Sequence, residues 1–278
     1  MDWVITYYCQ GGTSFTVAAG DTGPGIGTVT SPATAAGVIS VGATTDFSNR
    51  KPSDLEGGPN YAYGDVAPLS SRGPSTIGDP EPDVVAVGRQ AFGAVPLNLN
   101  PLTPKDGTIS TEIWQGTSLS SATAAGELAM VYQAYKSAHD GVCPNSTVAR
   151  VLLMSGADDL DYDILAQGAG SVNAFRSVKL ALDQQGISSD ASHWTPGDFL
   201  GVRYEAFAKL MDPGETASTM IRLENHGDTD VTATISDGYL KKYAQYEYSQ
   251  TTPTLDNRST APHYANAVWA FIPNPDYN

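Results

Sequence analysis

The chain has 278 residues, 41% of them hydrophobic and 16% charged, which suits one large globular domain or one domain plus part of another; no apolar run approaches the ~20 residues of a membrane-spanning helix. A net charge of −15, with a pI near 4.4, argues against nucleic acid and anionic membranes as partners, because like charges repel. The two cysteines, Cys9 and Cys143, are too few and too far apart for a disulfide framework or a metal motif and read as free thiols, and Met1-Asp2-Trp3 lacks the basic start and apolar segment of a signal peptide.

Residues 2–9 read as the end of a helix that stops at Gly11-Gly12. Three short apolar runs follow, SFTVAA (14–19), VISVGA (38–43) and DVVAV (83–87), with long Gly/Pro/Ser-rich connections at 44–82 and 93–111. Runs that are apolar on both faces fit buried parallel strands. From Ser118 to Ala138 there is no proline, and Ala122, Ala125, Gly126 and Ala129 recur at helical spacing, which predicts a helix with a small-residue face against a sheet. A second helix is expected from Asn145-Ser146 to Gly156, and a third over 173–183 with Phe175, Val178 and Leu182 inward. Strands followed by helices in this way predict an α/β domain with a mostly parallel sheet over residues 1–186.

After Gly186 the pattern changes. Residues 216–225 and 231–236 each alternate with period two across the turn NHGDTD, which predicts an antiparallel hairpin. Residues 187–278 are therefore expected to form a separate, partial β-sandwich module. The acidic stretch Asp158-Asp159-Leu160-Asp161-Tyr162-Asp163 offers the oxygen ligands that a structural calcium ion takes, but it lacks EF-hand spacing and reads first as a solvated loop.

The strongest chemical signal is Gly116-Thr117-Ser118-Leu119-Ser120-Ser121-Ala122. A serine at a helix N-terminus sits at the positive end of the macrodipole, a field that favours negative charge developing at a reacting centre. Gly116 allows a tight turn and leaves room for a substrate. An ordinary serine N-cap would give the same local pattern.

This segment resembles the G-T-S-x-[SA]-x-P-x-x-[SA]-G signature of subtilases, the subtilisin-like serine peptidases (peptidase family S8). Ser118 matches the nucleophile and Gly126 the closing glycine, while Ala122 stands where the family has proline. Further segments match in order. Ala18-Ala19-Gly20-Asp21 resembles A-A-G-N, and Ser31-Pro32-Ala33 through Ala43 resembles S-P-A…V-I-x-V-G-A. Ser70-Ser71-Arg72-Gly73-Pro74 with 81–86 resembles S-S-R-G-P…K-P-D-V-V-A-P-G, with Val87 in place of the last proline, and 167–173 resembles Q-G-x-G-x-V-N. The resemblance implies a subtilisin-like α/β core that hydrolyses peptide bonds through an acyl-enzyme on Ser118. It places Asp21 at the oxyanion position with the backbone amide of Ser118, and assigns substrate binding to Ala18, Ala19, Gly20, Gly116 and Thr117. It implies protein or peptide substrates, no required cofactor and an extracellular or cell-surface location.

Two decoys are set aside. Gly12-Thr13-Ser14 leads into a strand rather than a helix, so Ser14 reads as structural. Asp21-Thr22-Gly23 looks like the segment around a catalytic aspartate, but its flanks place it in the oxyanion segment. A serine nucleophile needs a neighbouring base and an orienting acid. Of the four histidines, His139, His193, His226 and His263, none lies in an H-G-T-H motif and none precedes Asp21. The expectation is an N-terminally truncated domain whose partner is a missing N-terminal segment carrying both groups. A sedolisin-like acid peptidase, which has an aspartate at the oxyanion position, and a non-catalytic binding or structural module derived from a subtilase are the alternative readings.

Overall fold

A computed structural model describes residues 4–5, 7–8, 12–35, 37–45, 64–75, 79–94, 111–190, 194–199, 202–205, 213–216, 218, 220–234, 243–247 and 267–271. Its centre is a sheet in the order β1 (Thr16–Ala18), β2 (Ile39–Thr45), β3 (Val84–Ala94), β4 (Thr111–Gln115). β1, β2 and β3 are mutually parallel, and β4 runs antiparallel to β3. All of β2 is buried, as are Val84, Val85 and Ala86. This is why these runs are apolar on both sides: both faces are covered. β4 falls at the end of a stretch that reads as a connection in the sequence. Its Ile113 and Trp114 are exposed, so burial left no strong pattern there.

Residues 168–172 attach to the opening of β3. The Ala169 amide donates to Asp83 O (2.8 Å), the Val85 amide to Gly170 O (2.9 Å) and the Val172 amide to Val85 O (2.9 Å). On the other side Ser171 exchanges two backbone bonds with Asp158 (2.7 and 2.8 Å).

Residues 4–5 and 7–8 are helical, in the segment expected to end a helix, and four further helices follow: α1 (Thr117–Ala138), α2 (Ser146–Gly156), α3 (Ile164–Gln167) and α4 (Ala174–Ala181). Asn145 and Asn173 cap α2 and α4 through their side-chain oxygens, as expected of Asn before a helix. The face that α1 buries is not the predicted one. Thr117, Ser120, Ala124, Leu128, Val131 and Ala134 are buried, while Ala122, Ala125, Gly126 and Ala129 are exposed. Both stripes have helical spacing, but only the first contains Leu and Val, and the larger apolar area decides which side faces the core. Leu128 and Ala124 join Ile39, Val41, Val84, Ala86, Ala149 and Leu153 in the main core. In α4 the expected inward Phe175 is 69% exposed and lies under the Lys179 ammonium, 4.5 Å from the ring centroid; Ser177, Leu180 and Ala181 take the buried positions.

A charged cluster is buried beneath the start of β3: Asp79, Glu81, Asp83 and Arg150. Asp83 accepts from the Ser40 amide (2.8 Å) and from the Arg150 guanidinium. Burial, reinforced by the Asp83 charge, pushes the Asp79 carboxyl up to about 7 despite Arg150. Burial and the same neighbours push Glu81 well above the usual carboxylate range, and burial also raises Asp83 against the pull of Arg150 and the Ser40 amide.

The acidic stretch 158–163 is engaged in capping and pairing. Asp158 accepts from Arg176 and Asn173 (2.7 Å each), Asp159 from the Asp161 amide (2.8 Å) and Gln167 (2.7 Å), and Asp163 caps α3. Among the described residues no group of three or more His, Cys, Asp or Glu is arranged to hold a metal ion.

The chain divides into two compact units, Met1–Val231 and Thr232–Asn278. In the first, β5 (Ile187–Asp190) pairs antiparallel with β8 (Arg222–Asn225), and β6 (Trp194–Phe199) with β7 (Val202–Glu205). β5 and β8 lie C-terminal to the 186/187 boundary expected from sequence, and the Ser189 amide bonds to Ser155 Oγ of α2 (3.1 Å). The expected hairpin of 216–225 with 231–236 does not form as predicted. β8 pairs with β5 instead, and 231–234 are not strand; 235–236 lie outside the described residues. Period-two alternation fixes which side chains share a face, not which strand is the partner. In the second unit β9 (Tyr243–Glu247) pairs antiparallel with β10 (Ala267–Phe271). Among the described residues no helix is long and apolar enough to cross a membrane.

Candidate active site

Ser118 is exposed in the first turn of α1, and Gly20-Asp21 follow the carboxyl end of β1. This is the edge of a parallel sheet where α/β proteins bind ligands. Gly116, the N-cap of α1, has no side chain with which to cap the helix. Asp21 does so from across the loop: its Oδ1 accepts from the Thr117 amide (2.7 Å) and from Thr117 Oγ1 (2.9 Å). Thr117 Oγ1 in turn accepts from the Gly20 amide (3.1 Å). The substrate-binding and oxyanion candidates Gly20, Asp21, Gly116 and Thr117 therefore meet at the turn before Ser118. Ala18 ends β1, and the buried Ala19 donates its amide to Val41 O (3.0 Å). A carboxylate at a helix N-terminus is favoured by the macrodipole, and here it also meets one of the donors that the helix itself leaves unpaired.

The loop that carries Asp21 rests on the Ser70–Pro74 segment. Ser71 donates its amide to Gly20 O (2.8 Å), and its Oγ accepts from the Thr22 amide (3.2 Å). The Gly23 amide bonds to Leu69 O (2.9 Å) and the Thr28 amide to Arg72 O (2.9 Å). The Ser70 hydroxyl accepts from the Ala43 amide of β2 (3.0 Å). The motif resemblance identified this segment without a role for it; its two serines brace the loop that carries Asp21 against the sheet.

Gly88 is a position the sequence reading missed, although it matches the closing glycine of the β3 motif. Its carbonyl accepts from the Gly116 amide at 2.6 Å. A Cβ on Gly88 would lie 1.9 Å from Ser120 Oγ, 2.8 Å from Ala43 Cβ and 2.9 Å from Gly116 O. The absent side chain lets the start of α1 sit directly on β3. Gly88→Ala is expected to cost about 1–3 kcal/mol through overpacking. Gly126→Ala is its control, because a Cβ there meets nothing within 4 Å, and it should stabilise by roughly 0.5–1 kcal/mol through helix propensity. Thermal melts should shift in opposite directions; a Gly88→Ala melt equal to that of the parent would show that the approach is loose.

His139 follows the last turn of α1, so the helix separates it from Ser118 by roughly 30 Å. His226 meets it there through a shared partner, Asp183. His193 and His263 lie outside the described residues. Among the described residues, then, neither histidine serves Ser118 as a base. Ser14, the decoy, bonds through its hydroxyl to Tyr132 Oη (2.8 Å), in keeping with a structural role.

The model of the subtilase family, peptidase S8, matches residues 2–175. The chain is 30% identical over 217 residues to pyrolysin of Pyrococcus furiosus, covering 69% of this chain and 15% of that protein. It is 32% identical over 166 residues to the serine protease AprX of Bacillus subtilis, covering 58% of this chain and 34% of that protein. The chain thus spans well under half the length of either relative. Among solved structures, the patellamide maturation protease PatA is similar at a TM-score of 0.46 and 23% identity, over 65% of this chain and 55% of that one.

Proposed function

The chain belongs to the subtilase family, and we propose that Ser118 is the nucleophile of a serine endopeptidase whose histidine and aspartate are supplied by a segment outside the described residues. The observation that carries this reading is the placement of an exposed Ser118 on the first turn of a 22-residue helix, beside the Gly20-Asp21 loop. Ser118 Oγ attacks the scissile carbonyl carbon, and its proton passes to the supplied histidine and then to the departing amine. Water completes hydrolysis of the acyl-serine. The Ser118 amide lies at the positive end of α1, where charge on the tetrahedral oxygen is stabilised. Ala18, Ala19 and Gly20 form the wall against which an extended peptide substrate lies. Protein or peptide substrates and an extracellular or cell-surface setting belong to this reading.

The 278-residue chain alone is expected to lack robust peptidase activity. A serine with an oxyanion site but no base retains only about 10³–10⁴-fold catalysis over water, a range known from subtilisin itself. The check is casein hydrolysis by the purified chain, compared with Ser118→Ala, before and after addition of a segment bearing the histidine and aspartate. Strong Ser118-dependent hydrolysis without that segment would overturn the requirement for an external base. No gain of activity in a complex that demonstrably forms would instead favour a non-catalytic module.

A further inference from the structure

At the end of α1 remote from Ser118, three residues form a second hydrogen-bonded chain. Ser188 Oγ lies 2.9 Å from His226 Nε2, and His226 Nδ1 lies 2.7 Å from Asp183 Oδ1. They come from three separate places: Ser188 from β5, His226 from just beyond β8, and Asp183 from just beyond α4. The partners fix the tautomer. An ionised carboxylate only accepts, so His226 Nδ1 carries the hydrogen that points at Asp183, and in the neutral ring Nε2 is left as the acceptor facing the Ser188 hydroxyl. This is the state in which an imidazole can take a proton from a serine. The second carboxylate oxygen of Asp183 lies 3.2 Å from Nε2 of His139, whose Nδ1 donates to Tyr135 O (2.9 Å) at the end of α1. Asp183 itself has φ 53, a left-handed conformation usually given to glycine or asparagine at a helix end. Ser188 is 5% exposed, and it opens onto a cleft of about 280 Å³ whose apolar wall is Tyr135, Val148, Val151 and Leu152.

We propose that Ser188 is a second activated serine, an acyl-acceptor site for compact, activated esters with a small apolar acyl group. Ser188 Oγ forms a bond to the acyl carbon, and the ester C–O bond breaks. The serine proton moves to His226 Nε2 and from there to the departing alkoxide or phenoxide. The Ser189 amide, which directly follows the nucleophile, is already committed to Ser155 Oγ. With that donor unavailable to an oxyanion, both formation and hydrolysis of the acyl-serine are slow, which restricts the site to esters with good leaving groups; Arg222, which lines the same cleft, is paired with Glu224 (3.0 Å).

The test uses the full chain carrying Ser118→Ala, so that the first nucleophile cannot react. It is incubated with diisopropyl fluorophosphate, which loses fluoride as the serine oxygen bonds to phosphorus, and the labelled peptide is identified by mass spectrometry. The expected result is a single adduct on Ser188 that is lost in Ser188→Ala and His226→Gln and forms at least about tenfold more slowly in Asp183→Asn. A thermal melt of each variant confirms that it is folded. If these residues only tie β5 and β8 to the helices, the variants lower the melting temperature but the parent takes no label at Ser188, and the proposal fails. Labelling at Ser188 that is indifferent to both His226→Gln and Asp183→Asn in folded protein would overturn it equally.

Discussion

In the assembled peptidase, Asp21→Asn is expected to raise turnover at neutral pH by about 10²–10³-fold, the factor that one oxyanion donor contributes in subtilisin. Asp21 Oδ1 already accepts from both the amide and the hydroxyl of Thr117. An asparagine would keep both bonds through its own Oδ1 and put an N–H₂ where the other carboxylate oxygen stands. That oxygen now only accepts, and its charge opposes an oxyanion forming beside Ser118. The change also has a cost, because a carboxylate near a helix N-terminus is worth typically 0.3–1 kcal/mol. The donor is worth about 2.7–4 kcal/mol in the transition state, so the gain should win. The measurement is kcat against pH for both forms, together with their melting temperatures. If Asp21→Asn lowers the melting temperature slightly and leaves kcat unchanged across the pH range, Asp21 serves only as the cap of α1 and the oxyanion assignment is wrong.

Glu81→Gln and Asp79→Asn should each stabilise the protein above neutral pH, and their combination should do so most. Both carboxyls are buried beside Asp83, and burial holds them protonated beyond their ordinary range. A carboxyl whose pKa is raised on folding keeps more protons in the native state than in the unfolded one, so stability is greatest at low pH and falls as pH rises. For Asp79 the fall spans the interval from 3.8 to about 7; at ~1.4 kcal/mol for each pH unit this amounts to roughly 4 kcal/mol. At about 2–4 °C per kcal/mol for a domain of this size, removing the charge should raise the melting temperature near pH 8 by roughly 10 °C. Near pH 4 the same substitutions should change little. A parent protein whose melting temperature climbs steadily from pH 4 to pH 8 would contradict the burial of this cluster.

The parts of the fold legible in the sequence are those that local chemistry determines. β1 and β2 follow from runs apolar on both faces, and α2 and α4 from the asparagines that cap them. Ser118 stands out because a Gly-Thr-Ser turn opens a long helix free of proline. What was not legible depends on partners far away in the chain. Alanine suits either side of a helix, so the buried face of α1 was decided by Leu128 and Val131 rather than by the small residues. The strand alternation at 222–225 was visible but not its pairing with 187–190. Asp21 as the cap of a helix that begins at Thr117, and the meeting of Asp183, Ser188 and His226, leave no local mark at all. The glycine that seats α1 on β3 was present in the motif, but only the distances around Gly88 give its reason.

The attachment of residues 168–172 to the opening of β3 has a consequence for biosynthesis. The Val85 amide donates to Gly170 O and the Val85 carbonyl accepts from the Val172 amide, 85 and 87 residues further along the chain. While the polypeptide emerges from the ribosome, β2 and β3 can pair as soon as both are available, yet the opening of β3 keeps unmet polar groups until α1 and α2 have also appeared. Closure is therefore a late event, and the nascent chain passes through an interval with an unfilled strand edge, the condition in which premature association with another copy is easiest. Slower elongation ahead of residue 172 would lengthen that interval, and a chaperone that shields an open edge would be of most use during it.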